Sequence, residues 1–282
     1  MNATPRRLRW YLDHERVILG ATAVVVFVVF WEGFTRGWWA DVLTPLLGAS
    51  AERWRIKPIF ISSPTAIAAA FYRMFLVTGE IWNDLRVSAI EYVLGFFIAI
   101  AVGIPVGLAA GWYRKFSCAV EPFLSALNAT PQVAFLPLII VWVGIGLGSK
   151  VVVIFLLTVL PIAINALASV KTIDVRLLRV ASSFGSSEWK IFRNIILPSS
   201  VPFLLTGLRL GVGRAMIGIV VGELYAATAG VGFMINVAGS SFQTDKVFVG
   251  VIVIAVCGLF LIEIIRRIER RVDVWRPKVG AA

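Results

Sequence analysis

Long apolar runs separated by short polar stretches dominate the chain. Six of them approach the roughly 20 mostly apolar residues needed to cross a bilayer: 17–34, 88–112, 118–143, 148–170, 201–224 and 247–265. The pattern predicts an all-α integral membrane protein with about six transmembrane helices. The third run is the least regular, with Pro122, Pro131 and Pro137; neighbouring membrane helices can satisfy the backbone groups such residues free. Between the first two runs the period changes. Ser63 precedes Pro64, and Ile67, Ala70, Phe71, Met74 and Phe75 fall on one face before Gly79, which predicts a helix capped by Ser63 and lying on the membrane surface. Trp38 and Trp39 suit the same interface.

Two runs carry small residues in register. Gly95, Ala99, Gly103, Gly107 and Gly111 recur every four residues, and Gly207, Gly211 and Ala215 are followed by Gly218 and Gly222. Such ridges let another helix backbone approach closely, whether from the same chain or from a second copy.

Composition fixes the solvent. Hydrophobic residues make up 59% of 282 residues and charged ones 15%, with a mean hydropathy of +0.88, which excludes an ordinary soluble domain. With the N-terminus inside, seventeen Lys and Arg residues fall on the cytoplasmic side and eight, Lys150 among them, outside. Positive loops resist translocation, so both termini and the loop near Arg179 are expected in the cytoplasm. The net charge of +11 then reflects attraction to anionic lipid rather than to nucleic acid. A basic start before an apolar run also fits a signal peptide, but Trp31, Glu32 and Gly33 supply no small-residue cleavage site after Phe30.

Candidate chemistry is sparse. The single His14 stands in the basic N-terminal segment, so no metal site and no catalytic triad is assigned. Gly144-Ile-Gly146-Leu-Gly148-Ser-Lys150 lacks the Gly-Lys-Ser/Thr order of a phosphate loop and follows a span rather than a strand; it reads as an outer turn. Cys118 and Cys257 are expected to be unpaired.

The cytoplasmic loop is more informative. After Asp174, the spacing of Leu177, Leu178 and Ala181 predicts a short amphipathic helix, Gly185 a turn, and Ser186 or Ser187 the cap of a second helix through Trp189 and Phe192 that Pro198 ends. Exposed Phe184 and Trp189 would form a knob for a groove on another protein, although the same residues also fit a connector packed on its own spans. Within the spans, Arg209 is expected to snorkel. Arg214 and Glu223 lie nine residues, about 13.5 Å, apart on a helix and so cannot pair. Asn128, Thr130, Gln132 and Asn165 either line a passage or hydrogen-bond between helices.

The run Ala181-x3-Gly185-x9-Ile195-x-Leu197-Pro198 resembles the EAA loop of bacterial ABC importer permeases. Ser62-Ser-Pro64, Val93-Leu-Gly95-Phe96, Gly103-Ile-Pro105-x-Gly107, Leu136-Pro137-Leu138, Trp142-x-Gly144-Ile-Gly146, Gly207-Leu-Arg209 and Gly222-Glu223 extend the resemblance, over residues 62–271, to the nitrate, sulfonate and taurine permease group. It implies a type I importer core at 62–271 with a coupling loop at 174–198. Residues 1–61 would hold an N-terminal tail, the first span and an outer loop, and 272–282 a cytoplasmic tail.

By the same resemblance, Arg179, Ala181, Phe184, Gly185, Ser186, Trp189, Leu197 and Pro198 would meet an ATPase subunit. Asn128, Thr130, Gln132, Asn165, Arg214 and Glu223 are the candidates for the translocation path. ATP and Mg would sit on the partner ATPase, with no cofactor on this chain. The other expected partners are a periplasmic or membrane-anchored solute-binding protein, a second copy of the permease and lipid, in a bacterial inner membrane, with a small anion such as nitrate or a sulfonate as substrate. Where the family has Glu-Ala-Ala, this chain has Arg179-Val180-Ala181, so any contact of that Glu is absent or inverted. The alternative is an ion-coupled secondary carrier or a non-transporting scaffold; carriers often carry internal repeats, and no persuasive duplication stands in this chain.

Overall fold

The computed structural model describes residues 6–38 and 60–272; Trp39 lies outside them. Five helices are long and apolar enough to cross a membrane, over Val17–Arg36, Glu80–Trp112, Leu147–Lys171, Glu188–Ala226 and Thr244–Arg271. The third apolar run is instead a bent pair, Arg114–Ala129 and Gln132–Val143, whose axes differ by 92°. Thr130 is extended at φ −83°, ψ 137°, because the ring of Pro131 keeps the preceding residue out of the helical region.

The chain forms two compact units. Of the described residues, the first holds 6–38, 60–79 and 237–249, with α1 (Arg6–Arg36), α2 (Pro64–Tyr72) and a wide π turn at Arg73–Val77. The Ser63 cap appears as expected, its Oγ accepting the Ala66 N–H at 3.2 Å. Glu32 reinforces it by accepting the Thr65 N–H at 3.0 Å while pairing with Arg36. Of the predicted stripe, Ile67, Ala70 and Met74 are buried, and Phe71 stacks on Phe75 with centroids 4.2 Å apart.

The second unit holds, of the described residues, 80–236 and 250–272. It contains α3 (Glu80–Trp112), α4 (Arg114–Ala129), α5 (Leu136–Val143), α6 (Leu147–Lys171), α7 (Val175–Ser183), α8 (Glu188–Ile191) and α9 (Leu197–Ala226). It also takes in the first residues of α10 (Val231–Ser240) and most of α11 (Thr244–Val272).

Helix α6 is the axis of this unit, and both small-residue ridges pack on it from within the chain. A Cβ added to Gly107 would lie 2.3 Å from the Ala163 carbonyl oxygen, and one at Gly95 would lie 2.6 Å from Ile154 Cγ2. From α9, a Cβ at Gly218 would come 3.0 Å from Ile154 Cα, and one at Gly207 would come 2.9 Å from Asn165 Cβ. Ile154 is therefore gripped between two glycine faces. This resolves the choice the sequence left open between packing within the chain and packing across copies.

The Gly144 segment forms the expected turn between α5 and α6, with Gly144 and Gly146 at positive φ. Lys150 departs from its assignment as an outer-loop charge. It lies inside the first turns of α6, buried against Glu91.

Candidate functional site

The loop between α6 and α9 builds a projecting corner. Asp174 caps α7 by accepting the Arg176 N–H at 2.8 Å. At its far end the N–H of Ser186 reaches the carbonyl of Ala181 (3.1 Å) and that of Gly185 reaches Ser182 (3.0 Å). This is a Schellman closure, and its left-handed position, φ +72°, is occupied by Gly185. Ser187 then caps α8 by accepting the Lys190 N–H at 3.4 Å.

Leu178 and Ala181 turn inward onto the core of Leu108, Val170, Ile191 and Ile196. Val175, Leu177 and Val180 turn out, with Phe184 86% and Trp189 67% exposed. Trp189 is backed by Phe192, stacked at 5.8 Å, and Phe192 meets Trp112 in turn. A cleft of about 570 Å³ runs beside these rings along Pro105 and Leu108. Arg179 and Pro198 are also exposed, while Ala181 and Ser186 are half-buried.

Pro198 does not end the second helix as the sequence suggested. It occupies the first turn of α9, where a missing N–H is tolerated, and a π turn at Phe192–Ile196 carries α8 into α9. The corner is thus continuous with a helix long and apolar enough to cross a membrane.

The candidate path residues separate into two groups. Asn128 and Thr130 are exposed at the break between α4 and α5, with Thr130 Oγ1 donating to the Ala126 carbonyl at 2.9 Å. Gln132 reaches the Leu127 carbonyl through its amide nitrogen at 3.4 Å, and its side-chain oxygen is buried without a partner. Asn165 bonds back to Pro161 on its own helix at 2.8 Å rather than across helices. Arg214 is exposed on α9. Arg209 pairs with Glu269 near the end of α11.

Glu223 is fully buried and belongs to a polar cluster that the sequence did not reveal as a unit. Its carboxylate accepts the Ser88 hydroxyl at 2.5 Å and the Gly232 N–H at 2.6 Å. Ser88 Oγ accepts the Val231 N–H at 3.0 Å, and Asp84 accepts that of Gly230 at 2.9 Å. Three successive N–H groups opening α10 are thereby satisfied by side chains of α3 and α9, as an unpaired helix start requires. Glu91 and Lys150 form an ion pair beside Glu223, within interaction range of its carboxylate. The available signal was the presence of ionisable residues in apolar helices, but nothing in their spacing paired Glu91 with Lys150, 59 positions apart.

A bundle of long apolar helices with a projecting corner agrees with the comparisons. The family of binding-protein-dependent transport system inner membrane components matches residues 103–274. The chain belongs to that family. It is 34% identical over 277 residues to the taurine transport system permease protein TauC of Escherichia coli (strain K12), covering 97% of this chain and 96% of that one. It is 33% identical over 221 residues to the putative aliphatic sulfonates transport permease protein SsuC of Bacillus subtilis (strain 168), covering 78% and 80% respectively. Among solved structures, an inward-facing MetNI methionine ABC transporter matches with a TM-score of 0.57 at 19% identity, over 71% of this chain and 97% of that one. At that identity the likeness establishes the fold, a type I importer permease.

Proposed function

We propose that this chain is the permease subunit of an ATP-driven importer for a small anion, with a sulfonate the leading substrate class. In this reading two copies of the chain pair with two ATPase subunits in a bacterial inner membrane, with both termini in the cytoplasm. A solute-binding protein delivers substrate from outside. ATP and Mg bind the ATPase, and closure of the ATPases pushes on residues 174–198. Because α8 runs through its π turn into α9, that push reorients a membrane helix and switches access.

One observation carries the reading: Phe184 and Trp189, large and exposed, are held at a Gly185 turn on a loop of this family. Apolar anchors of this kind dominate interface energetics when a partner buries them. The sulfonate assignment draws on the likeness to the taurine permease TauC and the aliphatic sulfonates permease SsuC. Uptake of taurine and of an alkylsulfonate, measured in cells expressing this chain with and without the ATPase and binding protein, tests it. ATP-dependent uptake that needs all three components is expected, whereas uptake by this chain alone, driven by an ion gradient, favours the secondary-carrier alternative.

A further inference from the structure

Helix α9 carries a charge that no other feature of the molecule uses. It is 30 residues long, about 45 Å at 1.5 Å per residue. Arg214 therefore sits about 4 Å from its midpoint, with about 18 Å of helix to one end and about 25 Å to the other. In a hydrocarbon core of about 30 Å centred on this helix, Arg214 lies about 11 Å inside the nearer edge, which keeps its guanidinium below the headgroup layer.

Arg214 lies on an exposed face of α9, in a stripe with Thr206, Leu210 and Ile217 at spacings of four, four and three. The other ionisable groups near it in the spans of the second unit are engaged. Glu91 holds Lys150, Glu223 accepts from Ser88 and Gly232, and Arg209 pairs with Glu269. Arg214 makes no ion pair or hydrogen bond among the described residues. A charge at this depth faces a water-filled cavity or a counter-charge, not hydrocarbon.

A second feature points the same way. The break at Thr130 and Pro131 leaves irregular backbone exposed, with Asn128 beside it, and such backbone at membrane depth is tolerated only when covered by protein or lining water.

We infer that Arg214 is the anion-recognising group of the translocation path: a guanidinium facing water near the mid-plane that selects a solute bearing a sulfonate or similar oxyanion. The inference rests on the permease reading and gives it a residue. The chemistry fits because guanidinium is permanently charged and its planar fork matches an oxyanion through paired N–H donors. No carboxylate shares its exposed stripe to neutralise it.

The test uses the full chain in membrane fragments open to both faces, with Cys118→Ser and Cys257→Ala as background. Single cysteines are introduced at Leu210, at Ile217, or at Thr78 as an exposed control. Each is reacted with an anionic probe, 2-sulfonatoethyl methanethiosulfonate, and a cationic one, the 2-trimethylammonioethyl analogue. Both path positions are expected to react and to favour the anionic probe relative to Thr78. Arg214→Gln should lower that preference by about tenfold, as expected for removing one charge a helix turn away in a watery site, and Arg214→Lys should restore most of it.

No reaction at either path position, or a preference equal to that at Thr78 with Arg214 intact, overturns the inference. The second comparison needs no Arg214 variant and holds even if Arg214→Gln fails to assemble. Capture of the ATPase by the same membranes is scored separately. Capture with an unaltered probe preference removes Arg214 alone, and failure of the unsubstituted chain to capture the ATPase removes the permease reading.

Discussion

Lys150 of α6 is buried against Glu91 of α3, and the two side chains are almost fully withdrawn from solvent. With Glu223 alongside, the bundle holds two carboxylates and one ammonium where desolvation is most costly. Removing the ammonium leaves uncompensated negative charge. Lys150→Met is expected to destabilise the folded chain by about 3 to 5 kcal/mol, read as loss of detergent-stable protein on heating. The double variant Glu91→Leu/Lys150→Met should recover much of that loss. A double variant no more stable than Lys150→Met would show that the pair is not the unit that matters.

Gly230 sits at φ +124°, and a Cβ there would fall 2.2 Å from Glu223 Oε1. Gly230→Ala should therefore expel the carboxylate from its place and free the start of α10, with faster amide exchange at Val231 and Gly232. Gly213→Ala, where an added Cβ meets nothing within 4 Å, is the control. Equal protection in the two variants would contradict the capping role of Glu223.

The ridge on α3 predicts a steep size limit. A Cβ at Gly107 meets backbone and not a movable side chain, so Gly107→Ala should cost about 1 to 3 kcal/mol, the range for overpacking. Val102→Leu, on an exposed part of the same helix, should cost little. Thermal stability of the purified chain separates the two, and equal melting would place the helix contact elsewhere.

Sided labelling checks the orientation. Thr78→Cys and Ser187→Cys, both exposed, should react with an impermeant maleimide from opposite faces of sealed cells, Thr78 from outside and Ser187 only after permeabilisation. Labelling of both from outside would contradict the positive-inside assignment.

Span number, the Ser63 cap and the two-helix corner at Gly185 were legible in the sequence because each is set locally, by a run length, a capping residue or a turn glycine. The glycine ridges were legible as ridges, but their partner was not; Ile154 and Ile162 carry no mark that each faces two glycine helices. The same limit hid the polar cluster. Ser88, Glu91, Lys150 and Glu223 are separated by long stretches of chain, and only folding makes them neighbours. Pro198 misled because proline is read as a stop, whereas the π turn before it lets the helix continue. Arg214 was singled out by its depth in an apolar run, but its exposure beside paired charges is a property of the packed bundle.

The coupling role of the Gly185 corner is tested most directly by capture of the cognate ATPase on the purified, membrane-inserted permease. Phe184→Ala and Trp189→Ala should each weaken capture by about 1 to 3 kcal/mol if the partner buries these rings. Gly185→Val, a β-branched residue forced to φ +72°, should abolish capture while leaving insertion intact. Arg179→Glu should reduce capture if the exposed guanidinium meets that partner. Wild-type capture and substrate-stimulated ATP hydrolysis in all four variants would contradict the account.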